Sequence, residues 1–123
     1  MPEKSRILVV EDDYLIAAVL KDILSMAGWT VIGPVGHLAE AVETAVHQDC
    51  DAAVLDINLA GKASYPVAEV LSKRKVPFLF LTGYSAAGVA TPFRGRPRLG
   101  KPFRTEELLG ALNRLLATPA AEV

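Results

Sequence analysis

The sequence holds one cysteine, Cys50, which excludes an internal disulfide and any multi-cysteine metal centre and leaves the residue as a small apolar filler. Long hydrophobic runs are also missing. The longest, Ile7–Val10 and Ala52–Leu55, are strand-length and cannot span a bilayer, and Met1–Arg6 lacks the hydrophobic region of a signal peptide. A cytoplasmic protein without membrane contact is therefore expected. Histidine is scarce: His37 and His47 lack metal-site spacing and read as surface or helix-cap residues. No Gly-rich or Ser/Thr-rich phosphate loop follows the first apolar run, where Glu11-Asp12-Asp13 would repel phosphate, so a flavin nucleotide is a poor ligand.

What remains is a chain of 123 residues, 51% hydrophobic and 22% charged, which fits a single domain over 1–123 with no separate output domain. The net charge of −1 conceals an asymmetry: residues 1–56 carry ten acids against three bases, and residues 57–123 four acids against ten bases.

Arg6–Glu11 is β-branched and continuously apolar, as in a strand buried on both faces of a parallel sheet. From Tyr14 to Ala27, Ile16, Val19, Leu20, Ile23 and Leu24 recur at helical intervals and Gly28 supplies a stop. The alternation continues with a strand over Trp29–Val35, a helix over Leu38–His47 with Leu38, Ala41, Val42 and Ala45 inward, and a strand over Ala52–Asp56. Ser64 and Pro66 open a helix through Val67, Val70 and Leu71, and Pro77–Leu81 forms a fourth buried strand ending at Thr82-Gly83. Thr105-Glu106-Glu107 starts a closing amphipathic helix through Leu108, Leu109, Leu112, Leu115 and Leu116, with Thr105 as its cap. Trp29 and Phe78 read as core aromatics. The Gly- and Pro-rich stretch between Tyr84 and Gly100 shows no helical stripe, so a short or irregular connection is expected there.

Alternating strands and helices imply right-handed crossovers and an open α/β fold: a three-layer, doubly wound, five-stranded parallel sheet. Sites in such sheets lie beyond the carboxyl ends of the strands, where strand order reverses. Glu11-Asp12, Asp56, Thr82 and Lys101 all fall there. Each has an ordinary explanation alone: Asp12 or Asp13 as a helix cap, Asp56 as a strand end, Thr82 in a turn, Lys101 solvated. Together they place carboxylates, a hydroxyl and an ammonium at four strand ends on one edge. Unit charges about 5 Å apart repel by roughly 3 kcal/mol at an effective dielectric of about 20, so such acids need a cation. An oxygen-only ligand set suits Mg2+, with Mn2+ as a substitute, and not zinc. Phosphoryl transfer needs a nucleophile plus positive charge and donors around the transferred group, and Asp56, a divalent ion, Lys101 and Thr82 meet those needs.

The segments Ile7–Asp13, Val54-Leu-Asp-Ile-Asn-Leu59, Leu81-Thr-Gly-Tyr84 and Lys101-Pro-Phe103 resemble the receiver domains of two-component response regulators, over nearly the whole chain. The resemblance implies the flavodoxin-like receiver fold and a phosphorylation switch that takes a phosphoryl group from a sensor histidine kinase. It further implies that Asp56 is the phosphoacceptor, that Glu11, Asp12 and Asp56 bind Mg2+ with the Asn58 backbone carbonyl, and that Thr82 and Lys101 contact the phosphoryl group. The side chains of Asn58 and Tyr84 would tune hydrolysis of the aspartyl phosphate, and the Thr82/Tyr84 to Lys101 surface would carry the signal. Asp13 starts helix one.

Pro77–Tyr84 is similar to a subgroup, often single-domain, marked by a Phe-Ala-Thr-Gly-x-Tyr type motif and associated with HWE-type sensor kinases, with Leu81 in place of its Ala. Two departures from ordinary receivers stand out. The Thr82–Lys101 interval is short, which implies a shortened or irregular fourth helix, and Arg98 occupies the place of an aromatic switch residue, a role that would pass to Tyr84.

Arg94, Arg96, Arg98, Lys101 and Arg104 form a basic stretch without a nucleic-acid-reading module, so direct DNA binding is not expected. Output through a downstream protein or phosphotransferase, a phosphate sink and a relay intermediate all fit, as do a monomer and a weak dimer. A haloacid-dehalogenase-like phosphohydrolase is disfavoured, because its second acid would stand at Asn58, whose amide cannot shuttle protons. A phosphorylation-independent binding module is disfavoured by the complete residue set. The chain would catalyse its own phosphorylation and dephosphorylation without being a multiple-turnover enzyme.

Overall fold

The computed structural model describes residues 5–83, 93 and 95–117. In chain order these form β1 (Arg6–Val10), α1 (Tyr14–Met26), β2 (Thr30–Val35), α2 (Leu38–His47) and β3 (Ala52–Asp56). A short ribbon follows, β4 (Asn58–Leu59) and β5 (Lys62–Ala63), then α3 (Tyr65–Lys73), β6 (Phe78–Thr82), β7 (Arg98–Gly100) and α4 (Thr105–Ala117). The main sheet has the order β2-β1-β3-β6-β7 and every pairing in it is parallel. Chain direction across the sheet reverses beside β1, which places the carboxyl ends of β1 and β3 at the switch point.

Alternation along the strands builds the three layers. Ile7, Val9, Ala52, Val54, Leu79 and Leu81 share one face with Leu20 and Leu24 of α1 and Leu108, Leu112 and Leu115 of α4. Leu8, Val10, Ala53, Leu55, Phe78 and Phe80 share the other with Ala41 and Ala45 of α2 and Val67, Ala68 and Leu71 of α3. Successive residues of one strand point to opposite faces, so strands apolar at every position must be covered twice. Trp29 and Phe78 are buried, as expected.

Strand β2 carries an extra residue between Ile32 and Val35 opposite β1. Gly33 makes this possible: its φ is +98°, and a Cβ there would lie 2.8 Å from the Val35 nitrogen and 2.9 Å from the Val9 carbonyl oxygen.

Several local expectations need correction. The helix expected from the spacing of Ile16, Val19, Leu20, Ile23 and Leu24 is present, but Val19 is 49% exposed and Ala17, Leu20 and Leu24 are the buried residues of α1. Spacings of three and four place Ala17, Leu20 and Leu24 along one stripe, with Val19 on its flank. Ser64 stands before α3 but makes no capping bond, its hydroxyl being buried without a hydrogen-bond partner among the described residues. Thr105 is inside α4; the start of that helix is instead fastened by the Glu107 carboxylate, which accepts from the Arg104 amide at 2.8 Å, the reaching-back half of a capping box. His37 precedes α2 without a side-chain capping bond, and His47 pairs with Glu43 one turn away at 3.1 Å. Cys50 is half-buried against the core, and burial pushes its thiol up to about 11, which keeps it protonated. The expectation of a shortened fourth helix falls largely on residues 84–92 and 94, outside the described residues. Among the described residues, no helix is long and apolar enough to cross a membrane.

Candidate active site

Four parallel strands end side by side, and the residue at or just after each end is polar. Asp56 closes β3 opposite Leu81, Thr82 closes β6 opposite Gly100, Glu11 follows β1, and Lys101 follows β7. The Glu11 amide donates to the Val35 carbonyl at 3.0 Å and the Lys101 amide to the Thr82 carbonyl at 2.8 Å, so both side chains leave from backbone still held by a neighbouring strand.

Asp13 caps α1, its Oδ1 accepting from the Leu15 amide at 2.9 Å and the Ile16 amide at 3.1 Å. That occupation leaves Glu11 and Asp12 for the site. Glu11, Asp12 and Asp56 each offer a carboxylate oxygen within 4.8 Å of the others. Glu11 is 2% and Asp56 7% exposed, whereas Asp12 is open to solvent. With Asn58, Thr82 and Lys101 they line a cleft of about 420 Å³ that also includes Asp13, Ile57, Ala60, Gly61 and Gly83. Tyr84 lies outside the described residues.

Lys101 is the counter-charge of this cluster. Its Nζ lies 2.9 Å from Glu11 Oε1 and 3.2 Å from Asp56 Oδ2. Burial alone would lower the ammonium's pKa; contact with Glu11 and the charge of Asp56 more than offset it, so the pKa is raised and Lys101 stays cationic. One ammonium does not neutralise three carboxylates. Burial, and after it the nearness of Asp56, pushes Glu11 up to about 7 from 4.5, although Lys101 and the Asp13 amide, 3.1 Å from Oε2, pull the other way. Among the described residues Glu11 Oε1 is buried and accepts no well-aligned hydrogen bond, although it is ion-paired with Lys101. A buried carboxylate oxygen with unused lone pairs, grouped with two further acids and only oxygen donors, fits a hard divalent cation.

The β4–β5 ribbon, which the sequence reading did not anticipate, forms the cleft wall after Asp56. The Asn58 amide donates to Asp56 Oδ1 at 3.2 Å, and the Ala60 amide to Asp12 Oδ2 at 3.0 Å. Gly61 was the available signal for a turn there, but no residue type marks a backbone amide as a partner of Asp12.

Residues 7–113 match the response regulator receiver domain family. The chain belongs to that family. The receiver is 30% identical over 111 residues to the transcriptional regulatory protein PdtaR of Mycobacterium tuberculosis, covering 87% of this chain and 54% of PdtaR, about half of that relative's length. Among solved structures it is similar to SdrG from Sphingomonas melonis Fr1, with a TM-score of 0.83 and 43% identity over 95% of this chain and 100% of that one. It is also similar to the receiver domain of sensor histidine kinase PA1611 from Pseudomonas aeruginosa PAO1, with a TM-score of 0.83 and 28% identity over 94% and 99% of the two chains. The PA1611 receiver was solved with a magnesium ion coordinated in its active site cleft. The receiver described here has the family's five-stranded parallel sheet flanked by helices, and an acidic cleft at the strand ends suited to Mg2+ and aspartate phosphorylation.

Proposed function

We propose that Asp56 takes a phosphoryl group from the phosphohistidine of a sensor kinase, with Glu11, Asp12, Asp56 and the Asn58 backbone carbonyl holding Mg2+. The observation that carries this reading is the contact of the Lys101 ammonium with both Glu11 and the Asp56 carboxylate in a cleft that is otherwise acidic. When bound, Mg2+ supplies positive charge to the equatorial oxygens of the transferred group.

The chain's own residues do the rest. Asp56, held at Oδ1 by the Asn58 amide, presents a carboxylate oxygen in a fixed direction. That oxygen forms a bond to phosphorus as the phosphorus–nitrogen bond of the donor breaks, and the imidazole leaves with its electron pair. Lys101 follows the charge from the carboxylate to the phosphoryl oxygens, and the Thr82 hydroxyl donates to one of them. Hydrolysis returns the carboxylate, with the Asn58 and Tyr84 side chains setting its rate. Nothing in this cycle turns over an external substrate repeatedly.

The Pro77–Tyr84 stretch supports an HWE-type kinase as donor, and Mn2+, with similar oxygen ligands, supports the same transfer. The signal then passes from the Thr82/Tyr84 to Lys101 surface to a protein partner or phosphotransferase. Incubation with Mg2+ and acetyl phosphate should add one phosphate mass to the wild type and none to Asp56→Asn, read by intact-protein mass spectrometry. Equal labelling of both proteins, or labelling that survives in EDTA, would overturn the assignment.

A further inference from the structure

We propose that Asn58 is a positioning residue for Asp12, acting through the β4–β5 turn; the inference rests on the magnesium reading of the cleft. The ribbon pairs Asn58 with Ala63 and Leu59 with Lys62, leaving Ala60 and Gly61 at its tip. Both tip residues have positive φ, 50° for Ala60 and 89° for Gly61. Such a two-residue turn suits the twist of a hairpin, but alanine adopts that backbone unwillingly, and the ribbon has only two residues on each side. The turn therefore needs support from outside its own ladder.

Two hydrogen bonds supply that support. The Gly61 amide donates to Asn58 Oδ1 at 2.8 Å, closing the turn from within. The Ala60 amide donates to Asp12 Oδ2 at 3.0 Å, tying the tip to the loop after β1. The Asn58 carboxamide fixes the turn, the turn aims the Ala60 amide, and the amide restrains the carboxylate of Asp12. Asp12 is the exposed member of the acidic trio, so it has the most rotamer freedom to lose when a cation binds. Orienting it beforehand lowers that cost, as partners behind metal ligands commonly do. The Asn58 main chain meanwhile restrains Asp56 through its amide, 3.2 Å from Oδ1. One residue thus sets two acids, Asp56 by its backbone and Asp12 by its side chain, a task separate from tuning hydrolysis of the aspartyl phosphate.

The test is Mg2+ affinity by calorimetry, without phosphodonor, for wild type, Asn58→Ala and Asn58→Ser, alongside the amide spectrum of each protein in EDTA. Asn58→Ala keeps the backbone amide and carbonyl, so any loss belongs to the carboxamide. It should weaken Mg2+ binding about three- to tenfold and shift the Ala60 amide resonance. Asn58→Ser, whose hydroxyl accepts local amide bonds of this kind, should recover most of both. Wild-type affinity in Asn58→Ala, an unmoved Ala60 amide, or a serine variant no better than alanine would each overturn the positioning role. Failure of the wild type to bind Mg2+ would overturn the magnesium reading and the inference with it, a result distinct from the other three.

Discussion

Replacing Glu11 with Gln should flatten the pH dependence of the metal-free protein's stability. Burial, followed by the nearness of Asp56, pushes this carboxyl up to about 7 from 4.5. Between those values the folded state keeps a proton that the unfolded chain has already released. The group's contribution to stability is therefore fully present at low pH, shrinks as pH rises from 4.5, and is gone above 7. Each pH unit inside the window is worth at most about 1.4 kcal/mol, so from pH 5.5 to pH 8 the loss is bounded at about 2 kcal/mol. Because Asp56 and Lys101 share the same proton balance, a loss of about 1–2 kcal/mol is expected. For a domain of this size that corresponds to about 4–8 °C in Tm. Thermal melts in EDTA at the two pH values, with Glu11→Gln melted beside the wild type, isolate the effect, because the two proteins differ at this one side chain. Excess Mg2+ should cancel the wild-type deficit at pH 8, since the ion binds the carboxylate form. Parallel pH slopes in the two proteins would refute the reasoning.

Lys101→Ala removes the ammonium 3.2 Å from Asp56 Oδ2 and should slow labelling by acetyl phosphate about a hundredfold while tightening Mg2+, because a cation has left the ion's surroundings. Time-resolved intact mass and calorimetry check the two halves, and an undiminished labelling rate contradicts the placement of Lys101. Leu112→Ala truncates a fully buried side chain on the α1/α4 face and should cost about 2–5 kcal/mol. Urea unfolding followed by Trp29 fluorescence reads it, since Trp29 belongs to the same cluster. A cost below about 1 kcal/mol would mean that α4 is not packed as described.

Much of the architecture was legible because its signals are redundant. β1, β3 and β6 each hold four consecutive apolar residues, which only a sheet covered on both faces accommodates, and the polar residues that end or follow them fall on one edge by topology alone. The six site residues within the described region therefore came together in one cleft. What was not legible depends on geometry that residue types do not encode. Val19 and Ala17 both lie near the inner stripe of α1, and only the packing angle against the sheet decides which is covered. A serine before a helix suggests a cap, yet the Ser64 hydroxyl is turned inward and Glu107 performs the equivalent task for α4 through its side chain. The β4–β5 ribbon is too short for a periodic pattern, and its decisive contact with Asp12 is made by a backbone amide.

The pairing register has a consequence for how this chain tolerates change. Asp56 sits opposite Leu81 and Thr82 opposite Gly100 because every residue before them in β3, β6 and β7 is matched to a neighbour. A shift of one residue would turn the Asp56 carboxylate to the opposite face of the sheet. Exchanges among valine, leucine and isoleucine within these strands leave the count of peptides intact and should be forgiven. Losing a single residue from Ala52–Leu55 alters composition hardly at all, yet it would carry the acceptor out of the cleft. For this receiver, the length of each strand is held more tightly than the identity of most residues in it.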